Sequence, residues 1–240
     1  MKAHILPGAQ IPAEMLSTDG RNNLVNALRV ATMDLAGVYV VFGSKVLLGC
    51  RSKKISESSL DAFSSFKATD AGEIGGGIKL DENKIQKRND KLDLIVKNGF
   101  NDNIMVLTCV PGMNYKHINK LIENGVEGLV IRGYGPGDLP HKIFDSLKLA
   151  QEKHIPVLVT TQASVGSTAV GVNSVGKEAL QYGIIQVFDM SMEAMTTKLM
   201  WLLNQGIEYK DIKTDIQKNM RGEVDNVMAK IILKDVDVNL

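Results

Sequence analysis

The sequence predicts a protein of the α/β class, because two kinds of apolar pattern follow one another along the chain. After residue 91, apolar stretches of strand length alternate with amphipathic stretches of helix length, which is typical of βαβ units and a parallel sheet. Before residue 81, short apolar runs are separated by glycine-containing turns, which favours strands and a hairpin. Residues 81–91 are almost wholly polar. The predicted organisation is a first domain at 1–80, a linker at 81–91 and a second domain at 92–240.

The first domain is predicted to begin with an extended segment and a helix. Pro7-Gly8 interrupts the extended segment. Apolar residues then recur at helical spacing over 24–31. Thr18 or Asp19 is a suitable N-cap for this helix, because a short side-chain oxygen can accept the unpaired N–H groups of a first turn.

Further strands are predicted in the rest of the first domain. Residues 37–42 form an apolar run, Gly43-Ser44 is a turn, and 45–49 return as the second strand of a hairpin. Residues 56–65 are polar with two apolar residues three apart, which predicts a short helical turn. Residues 72–80 are rich in glycine and are predicted to be extended, with a bend at the three consecutive glycines.

The second domain is predicted to be an alternation of strands and helices. Right-handed crossovers between such elements make the strands parallel. The predicted strands are 103–110, 128–131, 156–160 and 184–188, and the predicted helices are 115–124, 143–153, 174–182, 192–203 and 209–220.

The loops that follow the predicted parallel strands are the candidate binding region. In open α/β sheets, ligands lie outside the carboxyl ends of the strands. The loops at 110–112, 132–138 and 160–166 are rich in Gly, Thr and Pro. Asp138 could meet a ligand amine there, or it could be a turn residue ahead of the next helix. The threonines at 160–161 could present hydroxyls to a ligand, or they could merely cap the sheet.

Two further segments have a chemical and a structural interpretation. The basic run at 51–54 could be a solvated loop, but a lysine such as Lys54 can activate a nucleophile and relay a proton when burial favours its neutral form. Residues 171–177 superficially resemble a phosphate-binding loop. Glu178 stands where that motif needs Ser or Thr, so a helix start is the preferred interpretation.

The composition excludes several classes of protein. The 240 residues carry a formal net charge of +1, so neither nucleic acid nor an anionic membrane is expected as a partner. The apolar runs are shorter than a membrane span, and the N-terminus lacks the apolar region of a signal peptide. Cys50 and Cys109 are isolated and have no ligand spacing, so no metal site is expected. Two isolated thiols also suit a reducing cytoplasm.

A set of motifs occurs in order along almost the whole chain. They lie at 8–24 (GAQIP to TDG-x-x-NL), 49–65 (G-x-R-x-x-K with LDAF-x-S), 107–112, 128–137 (GLVIRGYG-x-G), 161–166 (TQ-x-x-x-G), 189–199 and 219–223 (NMRGE). In this order and spacing, they resemble the bacterial L-asparaginase family, specifically its cytoplasmic type I branch, and the related amidotransferase subunit.

The resemblance implies an incomplete flavodoxin-like N-terminal domain, whose C-terminal part is residues 1–80, followed by a smaller parallel-sheet α/β domain. It also implies assembly as a homodimer or homotetramer. Members of this family hydrolyse L-asparagine to L-aspartate and ammonia with no metal or cofactor. A threonine is the nucleophile, a Thr-Asp-Lys set activates it, and backbone N–H groups stabilise the oxyanion. By position, Lys54 corresponds to the activating lysine.

Departures from the family pattern concern the active site. The family's TGGT-type loop and TDT motif precede the stretch that matches Gly8, and neither occurs in this chain. Asp138 stands where the family usually has an Asn that helps to hold the substrate, and Asn173 stands where a tyrosine is frequent. Ala163 replaces a common cysteine. The chain is therefore expected to be inactive by itself. The alternatives are a non-catalytic amino-acid-binding or oligomerisation remnant, and an ammonia-supplying amidotransferase subunit.

Overall fold

The computed structural model describes residues 2–89, 91, 95–225, 231 and 234. The chain divides into two compact units. Unit 1 consists of Met1–Val96 with Arg221–Glu223, and unit 2 consists of Lys97–Met220 with Val224–Leu240. Residue 90 of the predicted linker and residues 92–94, 226–230, 232–233 and 235–240 of the predicted second domain lie outside the described residues.

Unit 1 contains a mixed five-stranded sheet with one long helix. Its strand order is β1-β2-β3-β6-β7; β1 and β2 are parallel and the other pairs are antiparallel, while β4 and β5 form a separate antiparallel pair. The elements are β1 (Ala3–Pro7), α1 (Gly20–Ala31), β2 (Gly37–Phe42), β3 (Lys45–Leu48), a 3-10 turn (Gly49–Arg51), β4 (Ser52–Lys54), β5 (Phe63–Ser65), β6 (Gly72–Ile74) and β7 (Ile78–Leu80).

The core of unit 1 lies between α1 and the sheet. Ala27 and Val30 on α1 are buried with Tyr39 and Val41 on β2. The predicted β2–β3 hairpin is confirmed, and Gly43 has a φ of +58° at its turn, a conformation that glycine adopts without steric cost. The predicted extended segment with a glycine bend is confirmed as the β6–β7 hairpin.

The start of α1 differs from the prediction. Asp19 is at the N-cap position but makes no side-chain capping bond. Its carboxylate instead accepts the backbone N–H groups of 10–11, at 3.0 Å, and the amide of Asn23 at 2.9 Å. Burial alone would raise the pKa of Asp19, but these hydrogen bonds outweigh burial and lower it. The Thr18 hydroxyl accepts the N–H of Gly20 at 3.0 Å, so one predicted cap residue does satisfy a first-turn donor.

The prediction of a helical turn at 56–65 is wrong. The end of this segment is strand β5, which pairs with β4. Before β5, the Ser56 hydroxyl accepts the N–H groups of Ser58 and Ser59 at 3.3 Å and 3.0 Å. A serine hydroxyl competes in this way with the helical backbone, and pairing with β4 then fixes an extended conformation.

The polar segment at 81–91 was predicted to be a linker, and its role as a linker remains a prediction. The Ala36 N–H donates to the Gln86 carbonyl at 2.7 Å. The Arg88 backbone N–H donates to Asp34 at 3.1 Å. Up to residue 88, this segment therefore packs against the rest of unit 1.

Unit 2 contains a parallel four-stranded sheet in the order β11-β10-β9-β8, which confirms the predicted βαβ pattern. Its elements are β8 (Ile104–Thr108), α2 (Lys116–Glu123), β9 (Gly128–Gly133), a 3-10 turn (His141–Ile143), α3 (Phe144–Glu152), β10 (Val157–Thr161), α4 (Ser174–Leu180), β11 (Ile185–Gln186), α5 (Met192–Asn204) and α6 (Tyr209–Gln217).

Both faces of the parallel sheet are covered, as such sheets require. Leu129 and Ile131 of β9 pack into a core with residues of α2 and α3. Val130, which points to the other face, packs into a second core with residues of α5 and α6. Helices on both faces leave the strand ends as the place where polar loops can form a site. None of the helices in the described part of the chain has the length and apolar character that crossing a membrane requires.

Candidate functional site

The loops that follow β8, β9 and β10 are joined by one side chain, that of Gln162. Its Nε2 donates to the Cys109 carbonyl at 2.8 Å and to the Arg132 carbonyl at 3.2 Å. Its backbone N–H donates to the Gly133 carbonyl at 3.2 Å. The three strand-exit loops predicted from the sequence therefore meet at one edge of the sheet, which we call the exit edge of unit 2.

Three buried threonines stabilise the exit edge through hydrogen bonds of their hydroxyls. The Thr161 hydroxyl donates to the Gly135 carbonyl and accepts the N–H of Ala163 at 2.9 Å. The Thr168 hydroxyl accepts the N–H of Thr161 at 3.2 Å and lies 3.3 Å from the Thr160 hydroxyl. Of the two interpretations of the threonines at 160–161, this geometry favours the structural one, because their hydroxyls are engaged in holding the loops.

Asp138 and Asn173 are brought into direct contact. The Asn173 Nδ2 donates to Asp138 Oδ2 at 2.6 Å. Asn173 Oδ1 accepts the N–H of Gly176 at 2.8 Å, so Asn173 is the N-cap of α4, and the predicted helix start at 171–177 is confirmed. A Cβ on Gly176 would come within 2.5 Å of the Gly171 nitrogen, so only glycine allows this close approach.

The two carboxylate oxygens of Asp138 differ in their hydrogen bonding. Asp138 Oδ1 is inaccessible to solvent and has no hydrogen-bond partner among the described residues. A buried acceptor without a donor costs free energy. The backbone of Asp138 does close a turn ahead of the next helix, because its N–H donates to the Tyr134 carbonyl at 2.8 Å and its carbonyl accepts the Tyr134 N–H at 2.9 Å. The turn leaves the carboxylate free to contact Asn173.

Lys54 belongs to unit 1, whereas Asp138 and Asn173 belong to unit 2. Lys54 is the last residue of β4, opposite Phe63 on β5, and it is exposed. The predicted catalytic role requires a buried lysine, and Lys54 is not buried in this structure. The predicted catalytic role of Lys54 and the predicted substrate-binding roles of Asp138 and Asn173 remain predictions.

Sequence reasoning missed a buried tyrosine at the exit edge. Tyr115 precedes α2 and is close to Cys109 and Tyr134. Burial, followed by the charges of Cys109 and Tyr134, raises the pKa of Tyr115 to about 12. Burial also raises the pKa of the Cys109 thiol. Both groups are therefore neutral at physiological pH and can act as hydrogen-bond partners. The only sequence signal was the position of these residues at a strand exit and a helix start.

Sequence reasoning also missed the burial of Arg51. A solvated loop was one of the two interpretations of the basic run at 51–54, yet Arg51 is only 3% exposed. Its Nε donates to the Gly222 carbonyl at 2.7 Å. No pattern in the sequence relates two residues that are this far apart.

Across the described ranges, no cluster of three His, Cys, Asp or Glu side chains is arranged to hold a metal ion.

Two family models match the chain. Residues 2–86 match "Asparaginase, N-terminal", and residues 103–214 match "Glutaminase/Asparaginase C-terminal domain". Both matches fall on the two units described above.

Individual relatives agree with these matches. The chain is 30% identical over 222 residues to an L-asparaginase of Thermococcus kodakarensis, a match that covers 92% of this chain and 67% of the relative. It is 30% identical to one subunit of the glutamyl-tRNA(Gln) amidotransferase of Methanococcus maripaludis, over 92% of this chain and 55% of the relative. The solved structure of L-asparaginase I from Vibrio cholerae superposes with a TM-score of 0.84 at 30% identity, over 92% of this chain and 68% of that chain. The chain thus spans between about half and two thirds of the length of these relatives.

Proposed function

This chain belongs to the asparaginase family, and on that premise we propose that it takes part in the hydrolysis of L-asparagine to L-aspartate and ammonia. The observation that carries this proposal within the molecule is the contact of Asp138 with Asn173 at the exit edge of unit 2. Ligands of open α/β sheets lie at this edge. A carboxylate and a carboxamide side by side are suited to the ammonium and amide groups of an amino-acid amide.

Asp138 is proposed to receive the α-ammonium group of the substrate. Its Oδ1 has no described partner, so a donor from a ligand would relieve an unfavourable burial. Because Oδ1 is inaccessible, binding requires Asp138 to move, and we propose that this movement opens the 2.6 Å bond between Asp138 Oδ2 and Asn173. The released Asn173 amide can then donate to the substrate, while its Oδ1 continues to cap α4.

Lys54 is proposed to relay a proton to or from the attacking hydroxyl. Amide cleavage needs a hydroxyl that attacks the carbonyl carbon, a group that takes its proton, and a proton for the leaving ammonia. Lys54 is exposed here, so this role requires that its side chain be covered during the reaction.

The 240 residues contain neither a TGGT-type loop nor a TDT motif. We therefore expect that this polypeptide, tested by itself, does not hydrolyse L-asparagine. The test is ammonia release by the wild-type polypeptide and by Lys54→Ala under identical conditions. Equal, background rates are expected. A wild-type rate clearly above that of Lys54→Ala would mean that another Ser or Thr of this chain is the nucleophile.

Two other functions have specific support. The match to a subunit of the glutamyl-tRNA(Gln) amidotransferase favours a subunit that supplies ammonia to a second protein. The absence of the two threonine motifs from these 240 residues favours a non-catalytic module that binds amino acids or mediates oligomerisation. Calorimetry with asparagine, aspartate and glutamine, followed by an ammonia assay on a chimera that adds both motifs ahead of residue 1, separates the enzyme from the binding module. Binding with ammonia release in the chimera supports the enzyme, and binding without release supports the binding module.

A homodimer or homotetramer and a cytoplasmic location are also proposed. The cytoplasmic location is supported by Cys50 and Cys109, neither of which is in a disulfide. Light scattering on the purified polypeptide tests the assembly, since a monomer at all accessible concentrations would contradict it.

A further inference from the structure

We infer that Arg51 is a positioning residue that fastens residues 221–223 to the hairpin carrying Lys54. This inference concerns a contact within unit 1, which is built from the N-terminal 96 residues together with Arg221–Glu223. The contact itself is independent of the proposed function, and only its effect on catalysis rests on the proposed role of Lys54. We call residues 221–223 the strap.

The strap is bound to the N-terminal part of unit 1 through its main-chain carbonyls. Arg51 Nε donates to the Gly222 carbonyl at 2.7 Å, and the Cys50 thiol donates to the Arg221 carbonyl at 3.3 Å. The strap is also held internally, because Glu223 Oε2 accepts the N–H of Arg221 at 2.7 Å. Two consecutive carbonyls of the strap are therefore held by two consecutive side chains of unit 1.

The contact between Arg51 and the strap is buried, and it includes two side chains of opposite charge. Arg51 and Glu223 are each only 3% exposed. A charged side chain is almost never buried to this degree unless hydrogen bonds or an opposite charge compensate it. A bond to a charged donor contributes more to stability than a neutral one, so the bond from Arg51 is a stronger attachment of the strap than the bond from the Cys50 thiol.

Gly222 makes the attachment geometrically possible. Its φ is +95°, which favours glycine, and a Cβ there would come within 3.0 Å of Leu48 Cδ1. The strap therefore passes close against the end of β3. A side chain at this position would strain the backbone and press against Leu48.

The same arginine also holds the hairpin of Lys54. The Arg51 carbonyl accepts the N–H of Phe66 at 2.7 Å, and the Arg51 Nη1 lies 3.5 Å from the Phe66 carbonyl. These bonds close the β4–β5 pair at the end where Ser52 faces Ser65. Lys54, three residues after Arg51, is the last residue of β4 and lies opposite Phe63 at the end of the hairpin that leads into its connecting loop. Side-chain and backbone bonds of Arg51 thus connect the strap to the strand on which Lys54 stands.

Tryptic cleavage after Arg221 measures the strap directly, because the Arg221 side chain is exposed while its carbonyl is held. Arg51→Met removes every donor of the side chain and keeps an apolar stem. We expect cleavage after Arg221 to become at least about tenfold faster, the factor for loss of one charge-assisted bond, whereas cleavage after Lys210 is unchanged. An unchanged rate after Arg221 would overturn the inference.

Gly222→Ala tests the strap without altering a buried charge. It is expected to accelerate cleavage after Arg221 by a similar factor. Gly125→Ala is the matched control, because Gly125 has a φ of +86° with no atom near its missing Cβ. If both glycine variants accelerate cleavage after Arg221 equally, general destabilisation is the cause and the inference fails.

The positioning role is tested by hydrogen exchange of the amides at 52–55 and by rescue. Arg51→Met is expected to raise exchange in this segment, and Arg51→Lys, which restores a donor, is expected to recover part of the protection at both the strap and 52–55. If the strap and the amides at 52–55 are as well protected in Arg51→Met as in Arg51→Lys, Arg51 acts only by filling space and the inference is wrong. If the strap opens while exchange at 52–55 does not change, the link to Lys54 is wrong. Neither readout uses substrate, so both are independent of the proposed hydrolysis.

Discussion

The exit edge of unit 2 and the β4–β5 hairpin of unit 1 both carry predicted site residues, but they are held in different ways. At the exit edge, Gln162 and the buried threonines bond to loop carbonyls, and Asp138 is bonded to Asn173. On the hairpin, Lys54 is exposed at the end of a strand of three residues. The predicted binding residues of unit 2 therefore lie in loops that are fixed by hydrogen bonds within that unit, whereas the predicted catalytic residue of unit 1 is an exposed side chain at a strand end.

The largest effect should come from breaking the exit edge at Thr161. Thr161→Val replaces the hydroxyl by a methyl group of similar size, so that the Gly135 carbonyl and the Ala163 N–H lose their partner. The expected loss is about 1–3 kcal/mol in the free energy of unfolding. Urea unfolding measures it. Thr197→Val, at an exposed position on α5, is the control and should change stability by less than about 0.5 kcal/mol. Equal effects would show that the exit edge is not specially stabilised.

A smaller effect is expected at Asn173. Asn173→Ala removes the cap of α4 and should cost about 1–2 kcal/mol by urea unfolding. Asn173→Ser keeps a capping oxygen but cannot reach Asp138 in the same way. If the cap dominates, serine restores most of the stability. A serine variant as unstable as the alanine variant would assign the effect to the bond with Asp138.

The high pKa of Tyr115 predicts a pH dependence of the exit edge. Because the folded-state pKa is raised to about 12, this group contributes stability that is fully present below its ordinary value and is lost as the pH rises through 12. At high pH, the free energy of unfolding of Tyr115→Phe should therefore fall less than that of wild type. Tyrosinate absorbance, titrated in both proteins, checks it. A difference spectrum that titrates near pH 10 would contradict the burial argument.

The smallest effect is expected on the hairpin. Lys54 is exposed, so Lys54→Ala should change the free energy of unfolding by less than about 0.5 kcal/mol. Urea unfolding of Lys54→Ala beside Lys54→Met checks this. A loss above about 1 kcal/mol would show that Lys54 is more tightly held than its exposure indicates.

Much of the fold could be predicted because its signals are local. The alternation of strands and helices in unit 2 and the hairpin at Gly43 follow from periodicity and turn chemistry within a few residues. The segment at 56–65 was not predictable in this way, because β5 becomes a strand only by pairing with β4. Asp19 was placed correctly at a helix start, but its carboxylate bonds to a loop that folds back beside it.

The candidate site was predictable to a lesser extent. Strand exits identified the region, and Asp138 and Asn173 do meet there although they are 35 residues apart. The tie made by Gln162 and the bond from Arg51 to Gly222 join residues separated by 53 and 171 positions. Such contacts are decided by tertiary packing, and no spacing rule in the sequence encodes them.

Calorimetric titration with L-asparagine tests most directly the claim that the exit edge of unit 2 binds an amino-acid amide. Wild type and Asp138→Ala should be compared, with Asp145→Ala, on the exposed start of α3, as the control. Saturable binding by wild type and by the control, with at least about tenfold weaker binding by Asp138→Ala, is the predicted result. No saturable binding by wild type, or equal binding by wild type and Asp138→Ala, would contradict the claim.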